Sequence, residues 1–157
     1  MGKCNNKRIK HKTKGMANIM NRHEAREAAL GIVFEKSFQT SEDAGKLYDT
    51  AIVERELEED DYVRRVINGV FDNLEEIDKL IEGAAKGWKI ARMPGVSLAL
   101  MRICTYEMLY EKDIPVNVSL NEAVELAKKF DTDDAPAFVN GVLNKISKSI
   151  DIKKDAE

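Results

Sequence analysis

From Val63 to Ile81 the apolar side chains return at steps of three and four: Val63, Val66, Ile67, Val70, Phe71, Leu74, Ile77, Leu80 and Ile81. A half-buried strand alternates every second residue, so this spacing fits a helix with one buried stripe. Asp72-Asn73 interrupts the run, and Asn73 with Glu76 has the form of a cap that opens a second helix. A stripe of this kind must be covered by other elements. The segment 97–111 supplies the cover. Leu98, Leu100, Met101, Ile103, Cys104, Met108 and Leu109 make it apolar nearly all round, with only Ser97, Arg102, Thr105 and Glu107 interrupting. A helix apolar on every side belongs at the centre of a bundle.

The remaining segments follow the same period. Residues 21–39 read as a helix, with Asn21 as cap and Glu24 placed to complete a capping box. Its apolar arc is wide: Ala25, Ala28, Ala29, Ile32 and Val33 on one side, Leu30, Phe34 and Phe38 beside them. Such an arc is either deeply buried or offered to a partner, and a homodimer would use it equally well. A weaker helix follows Ser41 over 42–53, and residues 83–95 read as a Gly-rich loop around Trp88. Ser119 and Glu122 have capping-box spacing for a helix running to Phe130. The last helix starts near Asp134-Ala135-Pro136, with proline in the tolerated first turn, and buries Phe138, Val139, Val142, Leu143, Ile146 and Ile150. No run alternates as a strand would. The expectation is an all-α fold of about six or seven helices.

Charge divides the 157 residues unevenly. The first 20 hold six lysines and arginines and no acid, whereas the rest hold 19 basic and 28 acidic side chains. A basic arm on an acidic body signals an anionic partner. The arm lacks apolar periodicity and is read as disordered, residues 21–150 as a single domain, and 151–157 as a short charged tail. Met16 and Met20 offer alternative translation starts. No stretch approaches a membrane span, and the arm has no apolar core of a secretory signal behind it. Asn6 stands where myristoylation needs Ser or Thr. Cys4 and Cys104 are too few and too far apart for a disulfide framework or zinc site. The expected setting is the reducing cytoplasm, with no cofactor and no metal.

Signals for catalysis are poor, and no enzyme is expected. There is no phosphate loop or dinucleotide fingerprint. His11 and His23 lie in or beside the arm without an evident base–orienter pair. Cys104 reads as a buried structural thiol, and Glu58-Glu59-Asp60-Asp61 as a solvated helix start. The N-terminal region says more. Arg22 and Arg26 are four apart and share a helix face, and Lys12 and Lys14 lead into it. Guanidinium groups bind phosphate bidentately and stack on bases, so arm and helix edge together suit a nucleic-acid strand; a solubilising tail is the other reading. Phe138 stands at the edge of its helix's apolar arc near Asn140 and Gly141, where it either packs or stacks on an unpaired base. Gly141 within a helix costs about 1 kcal/mol relative to alanine, which points to close approach by a neighbouring helix or a ligand. Leu30, Phe34 and Phe38 are either core or a docking patch.

The run from Pro115 to Ile146, with its NEAVELAK and FVNGVLNK blocks, resembles the signature of the NusB family. Leu100–Leu109 resembles that family's central helix, with Arg102 and Glu107 matching, and Trp88 matches a tryptophan common in the preceding loop. Val66–Leu80 fits its middle helices and Ala25–Leu30 its first, so the resemblance spans about residues 21–150. It implies a compact domain of two packed helical bundles. It implies binding of boxA-like single-stranded leader RNA together with a small-subunit ribosomal protein that doubles as NusE, in an RNA polymerase antitermination complex. The implied RNA site centres on Arg22 and Arg26, joined by Asp134, Phe138 and Asn140, and His23 between the two arginines is a further candidate of this chain's own. The implied protein site draws on the first helix, at Leu30, Phe34 and Phe38. One departure stands out: the family often has consecutive arginines where this chain reads Arg22-His23-Glu24, so the upstream lysines become candidate substitutes. An accessory domain of an RNA cytosine methyltransferase is a second reading, although a chain ending at Glu157 leaves no room for a cofactor-binding domain. A helical interaction module without an RNA role is the third.

Overall fold

The computed structural model describes residues 20–38 and 43–155. Lys12, Lys14 and Ser41 lie outside the described residues. Seven α-helices follow in order: α1 (Arg22–Lys36), α2 (Ala44–Glu54), α3 (Asp61–Asp72), α4 (Leu74–Ala84), α5 (Gly95–Tyr110), α6 (Val116–Phe130) and α7 (Ala135–Asp155). A single 3-10 turn, Ile90–Arg92, lies in the loop before α5, and no strand occurs among the described residues. The long stripe breaks at Asn73 as expected, but for a different reason. The Asn73 side chain donates backwards to the Gly69 carbonyl at 2.8 Å and closes α3, making no cap bond to α4. Asp43 caps α2, its side chain accepting from the Gly45 and Lys46 amides.

Two helix ends differ from the sequence expectation. α6 begins at Val116, three residues before Ser119, because Pro115 already sets the preceding backbone. Ser119 is then buried inside the helix with its hydroxyl unpartnered, and Glu122 is free to reach across to α1. α7 continues through Asp155, so most of the segment read as a tail is helical.

α1, α2 and α3 pack on one another, and α4, α6 and α7 form the second group. α5 touches α1 and α3 on one side and α4, α6 and α7 on the other, so it is shared by both bundles. That explains its composition: every residue from Ser97 to Met108 is buried. Two charges in this helix are paired, Glu107 with Arg26 and Arg102 with Asp78. Arg102 grips Asp78 of α4 through two hydrogen bonds of 2.9 Å and donates a third to the Ser37 hydroxyl at the end of α1. α3 approaches α5 at Gly69, where a Cβ would overlap the Tyr106 ring. Tyr106 is buried and flanked by the Tyr110 ring at 5.6 Å, so it has little room to retreat. Gly69→Ala is expected to cost about 1–3 kcal/mol through overpacking, read as a lower urea midpoint at unchanged slope.

Candidate nucleic-acid interface

The first turn of α1 is built by its cap. The Asn21 Oδ1 accepts from the Glu24 amide at 2.8 Å, and its Nδ2 donates to the Glu24 carboxylate at 3.1 Å. Glu24 thus serves the helix end, where its charge also suits the dipole. The cap sets Arg22 outward. Its guanidinium is exposed and lies 4.1 Å from the centroid of the Tyr62 ring on α3. The flank beyond is acidic: Glu59, Asp60 and Asp61 line an open cleft of about 460 Å³ with Arg22, Tyr62 and Arg65. Tyr48 holds this corner, accepting from the Asp60 amide and donating to its carbonyl. The carboxylates of Glu59, Asp60 and Asp61 make the α3 flank of Arg22 unfavourable for a polyanion.

Arg26 corrects the sequence expectation. It does not share the exposed face with Arg22; its side chain is 4% exposed and points into the core. There it meets Glu107 of α5, 1% exposed, through hydrogen bonds of 2.6 and 3.1 Å. The four-residue spacing places the two arginines on neighbouring parts of the helix, but the boundary between water and core falls between them. Burial is the largest influence on Arg26 and works against its charge, yet the Glu107 hydrogen bond and charge outweigh it, and its pKa is raised. Glu122 of α6 adds a longer contact at 3.8 Å. The buried Cys104 thiol is pushed up by desolvation and then by the Glu107 charge, so it stays protonated and structural.

His23 occupies the seam between α1 and α6. One ring nitrogen lies 2.6 Å from Glu122 and the other 3.4 Å from Glu27, and Lys129 bonds Glu27 from the far side. The histidine is thus held by carboxylates and only partly open to a ligand. At the start of α7, Asp134 and Asn140 are exposed, Asn140 accepting from the Asn144 amide. Phe138 is half-buried and packs against Trp88 with centroids 5.6 Å apart. Trp88 itself is 50% exposed. Residue patterns gave Trp88 no site role; a lone tryptophan in a basic Gly-rich loop was the available signal. Gly141 is open: a Cβ there would meet nothing within 4 Å, so no neighbouring helix accounts for it.

The first helix's apolar arc is mostly spent inside the protein. Ala25, Ala29, Leu30, Ile32 and Val33 are buried, which removes Leu30 from any docking surface. Phe34 is half-buried and Phe38 is 71% exposed, their rings edge-to-face at 5.0 Å. Among the described residues no group of His, Cys, Asp or Glu has the arrangement to hold a metal ion, and no helix is long and apolar enough to cross a membrane.

These features have known counterparts. A family model described as the NusB family matches residues 23–148. The transcription antitermination protein NusB of Clostridium botulinum (strain Kyoto / Type A2) is 41% identical over 142 residues, covering 81% of this chain and 99% of its own. That of Ruminiclostridium cellulolyticum is 41% identical over 131 residues, covering 82% and 90%. Among solved structures, T. maritima NusB aligns with a TM-score of 0.76 at 34% identity, over 82% of this chain and 92% of that one. A chain from the crystal structure of antitermination factors NusB and NusE in complex with dsRNA aligns with a TM-score of 0.73 at 27% identity, over 83% and 99%. A shared α5 at the meeting of two helical groups, a family match along nearly the whole helical body and relatives covered almost end to end lead to one statement: this chain belongs to the NusB family.

Proposed function

We propose that this chain is a cytoplasmic, non-enzymatic transcription antitermination factor. It binds boxA-like single-stranded leader RNA together with a small-subunit ribosomal protein acting as NusE, and helps RNA polymerase read through terminators in ribosomal RNA operons. The observation that carries this is its alignment over 99% of a chain from the crystal structure of antitermination factors NusB and NusE in complex with dsRNA, which supports an RNA-binding role beside NusE; the single-stranded preference is what the test below decides. Residues 21–150 act as one folded unit behind the basic arm. Arg22, with Lys12 and Lys14 of the arm, takes phosphate. Asp134, Phe138 and Asn140 line the RNA at the start of α7, and His23 sits at the seam between the two groups. Arg26 supports this surface from beneath and does not touch RNA. Phe34 and Phe38 face the ribosomal protein.

The test is a titration with a boxA-like single strand, its scrambled version and its duplex, across salt, with and without the ribosomal protein. The single strand should bind best in the ternary mixture, with a log–log salt slope of about −0.7 per phosphate neutralised. No RNA preference in any mixture would sink the reading. Truncation to Met20 should lower affinity and flatten the slope by about 0.7 for each phosphate that the arm neutralises. Preference over the scrambled strand should survive, because phosphate contacts position the protein and base contacts specify.

A further inference from the structure

Two features of the α7 end remain unexplained by packing. Trp88 is the chain's single tryptophan, yet half its surface faces water. Gly141 lies inside a helix with no atom near the place of its missing side chain. They belong to one surface. Phe138, Gly141, Lys145 and Lys148 follow at steps of three, four and three, which places them in a stripe along α7. Phe138 begins that stripe and carries Trp88 on its ring. Gly141, Lys145 and Lys148 are exposed, and neither lysine has an ion pair among the described residues. The loop that holds Trp88 adds exposed Lys86, Lys89 and Arg92, also without ion pairs among the described residues, and no acid occurs between Gly83 and Val96.

We infer that the Trp88–Phe138 ring pair and the Gly141–Lys145–Lys148 stripe form a track for the continuation of the bound RNA strand. An unpaired base stacks on the open face of Trp88, the backbone crosses α7 at Gly141, and the two lysines receive phosphates. Each part has its chemistry. Aromatic rings accept any base by its π-face, and a duplex offers no such face along its length. The absent Cβ lets a sugar-phosphate chain lie against the helix. The two lysines and the loop cations suit its charge. The inference rests on the RNA reading above and extends it beyond the base-lining residues at the start of α7.

The test uses the full chain and a boxA-like single strand with short uridine extensions at both ends. Labelled-RNA anisotropy reports binding, while tryptophan emission reports Trp88 alone. Both signals should move with one midpoint. The Lys145→Glu/Lys148→Glu double variant should weaken binding by about tenfold or more near 0.1 M salt and flatten the slope by about 1.4. Gly141→Ala should raise the thermal midpoint and weaken RNA binding, opposite signs that a packing role would not produce. RNA binding with unchanged emission and an unchanged slope in the double variant overturns the track and leaves the antitermination reading standing. Anisotropy that stays flat even with the ribosomal protein overturns both. An emission change caused by the ribosomal protein alone assigns the rings to a protein interface and also overturns the track.

Discussion

Glu107→Ala is expected to destabilise the protein by about 3–5 kcal/mol, because it leaves the Arg26 cation buried without its partner. That is a large share of the roughly 5–15 kcal/mol that holds a domain folded, so the urea midpoint should fall steeply or the folded baseline vanish. Arg26→Ala should cost a similar amount for the mirror reason. The pair itself is not a large net stabiliser. Two charges 4% and 1% exposed are stripped of water, and their attraction largely returns that cost. An Arg26→Met/Glu107→Leu double replacement should therefore recover most of the loss, and a double-mutant cycle in urea measures the coupling directly. The same variant tests whether Arg26 reaches RNA. If Arg26 acts only by holding α1 on α5, the refolded double variant keeps its RNA affinity and salt slope. A slope flattened by about 0.7 in a folded double variant would return Arg26 to the RNA surface.

This pair also marks how far the sequence could be read. The apolar periods gave the helices and the central position of residues 97–111, since a face that must be buried repeats locally every turn. The Asn21–Glu24 cap was legible for the same reason: its partners are three residues apart. What failed were inferences about direction near a face boundary. Arg22 and Arg26 are one turn apart, but one stacks in the open on Tyr62 and the other enters the core. The deciding partner, Glu107, is 81 positions away. The signal was nonetheless present. A carboxylate in an otherwise apolar central helix must be paired, and Arg26 is flanked by Ala25, Ala28 and Ala29, small residues of a buried seam. Glu122 misled for a related reason. Capping-box spacing matched a local partner, whereas Pro115 had already started α6 and the carboxylate crosses to His23. Trp88 was readable only as a landmark, because its partner Phe138 lies in a distant segment of the chain.

At the opposite end of α1, Phe38→Asp is expected to weaken binding of the ribosomal protein by about 30-fold or more, the roughly 2 kcal/mol that defines a hot-spot aromatic. The ring is presented rather than buried. Arg102 bonds the Ser37 hydroxyl, which in turn donates to the Val33 carbonyl, so the backbone before Phe38 is tied to the Arg102–Asp78 fork in the core. Phe34 supports the ring from the side and is itself seated over Gly95, where a Cβ would come within 2.8 Å of it. An aromatic 71% exposed on so fixed a base contributes little to folding, so the substitution should change stability by no more than about 0.5 kcal/mol. Binding of RNA to the isolated protein should also be unchanged, since Arg22 and the start of α7 are untouched. The two measurements together separate the outcomes. Weaker ternary assembly with intact RNA binding and an intact melting curve places the protein partner on Phe38; unchanged affinity for the ribosomal protein removes this edge from the interface. Gly95→Ala then offers a graded check, because it moves Phe34 without adding charge and should weaken the partner in proportion to the displacement of the Phe38 ring.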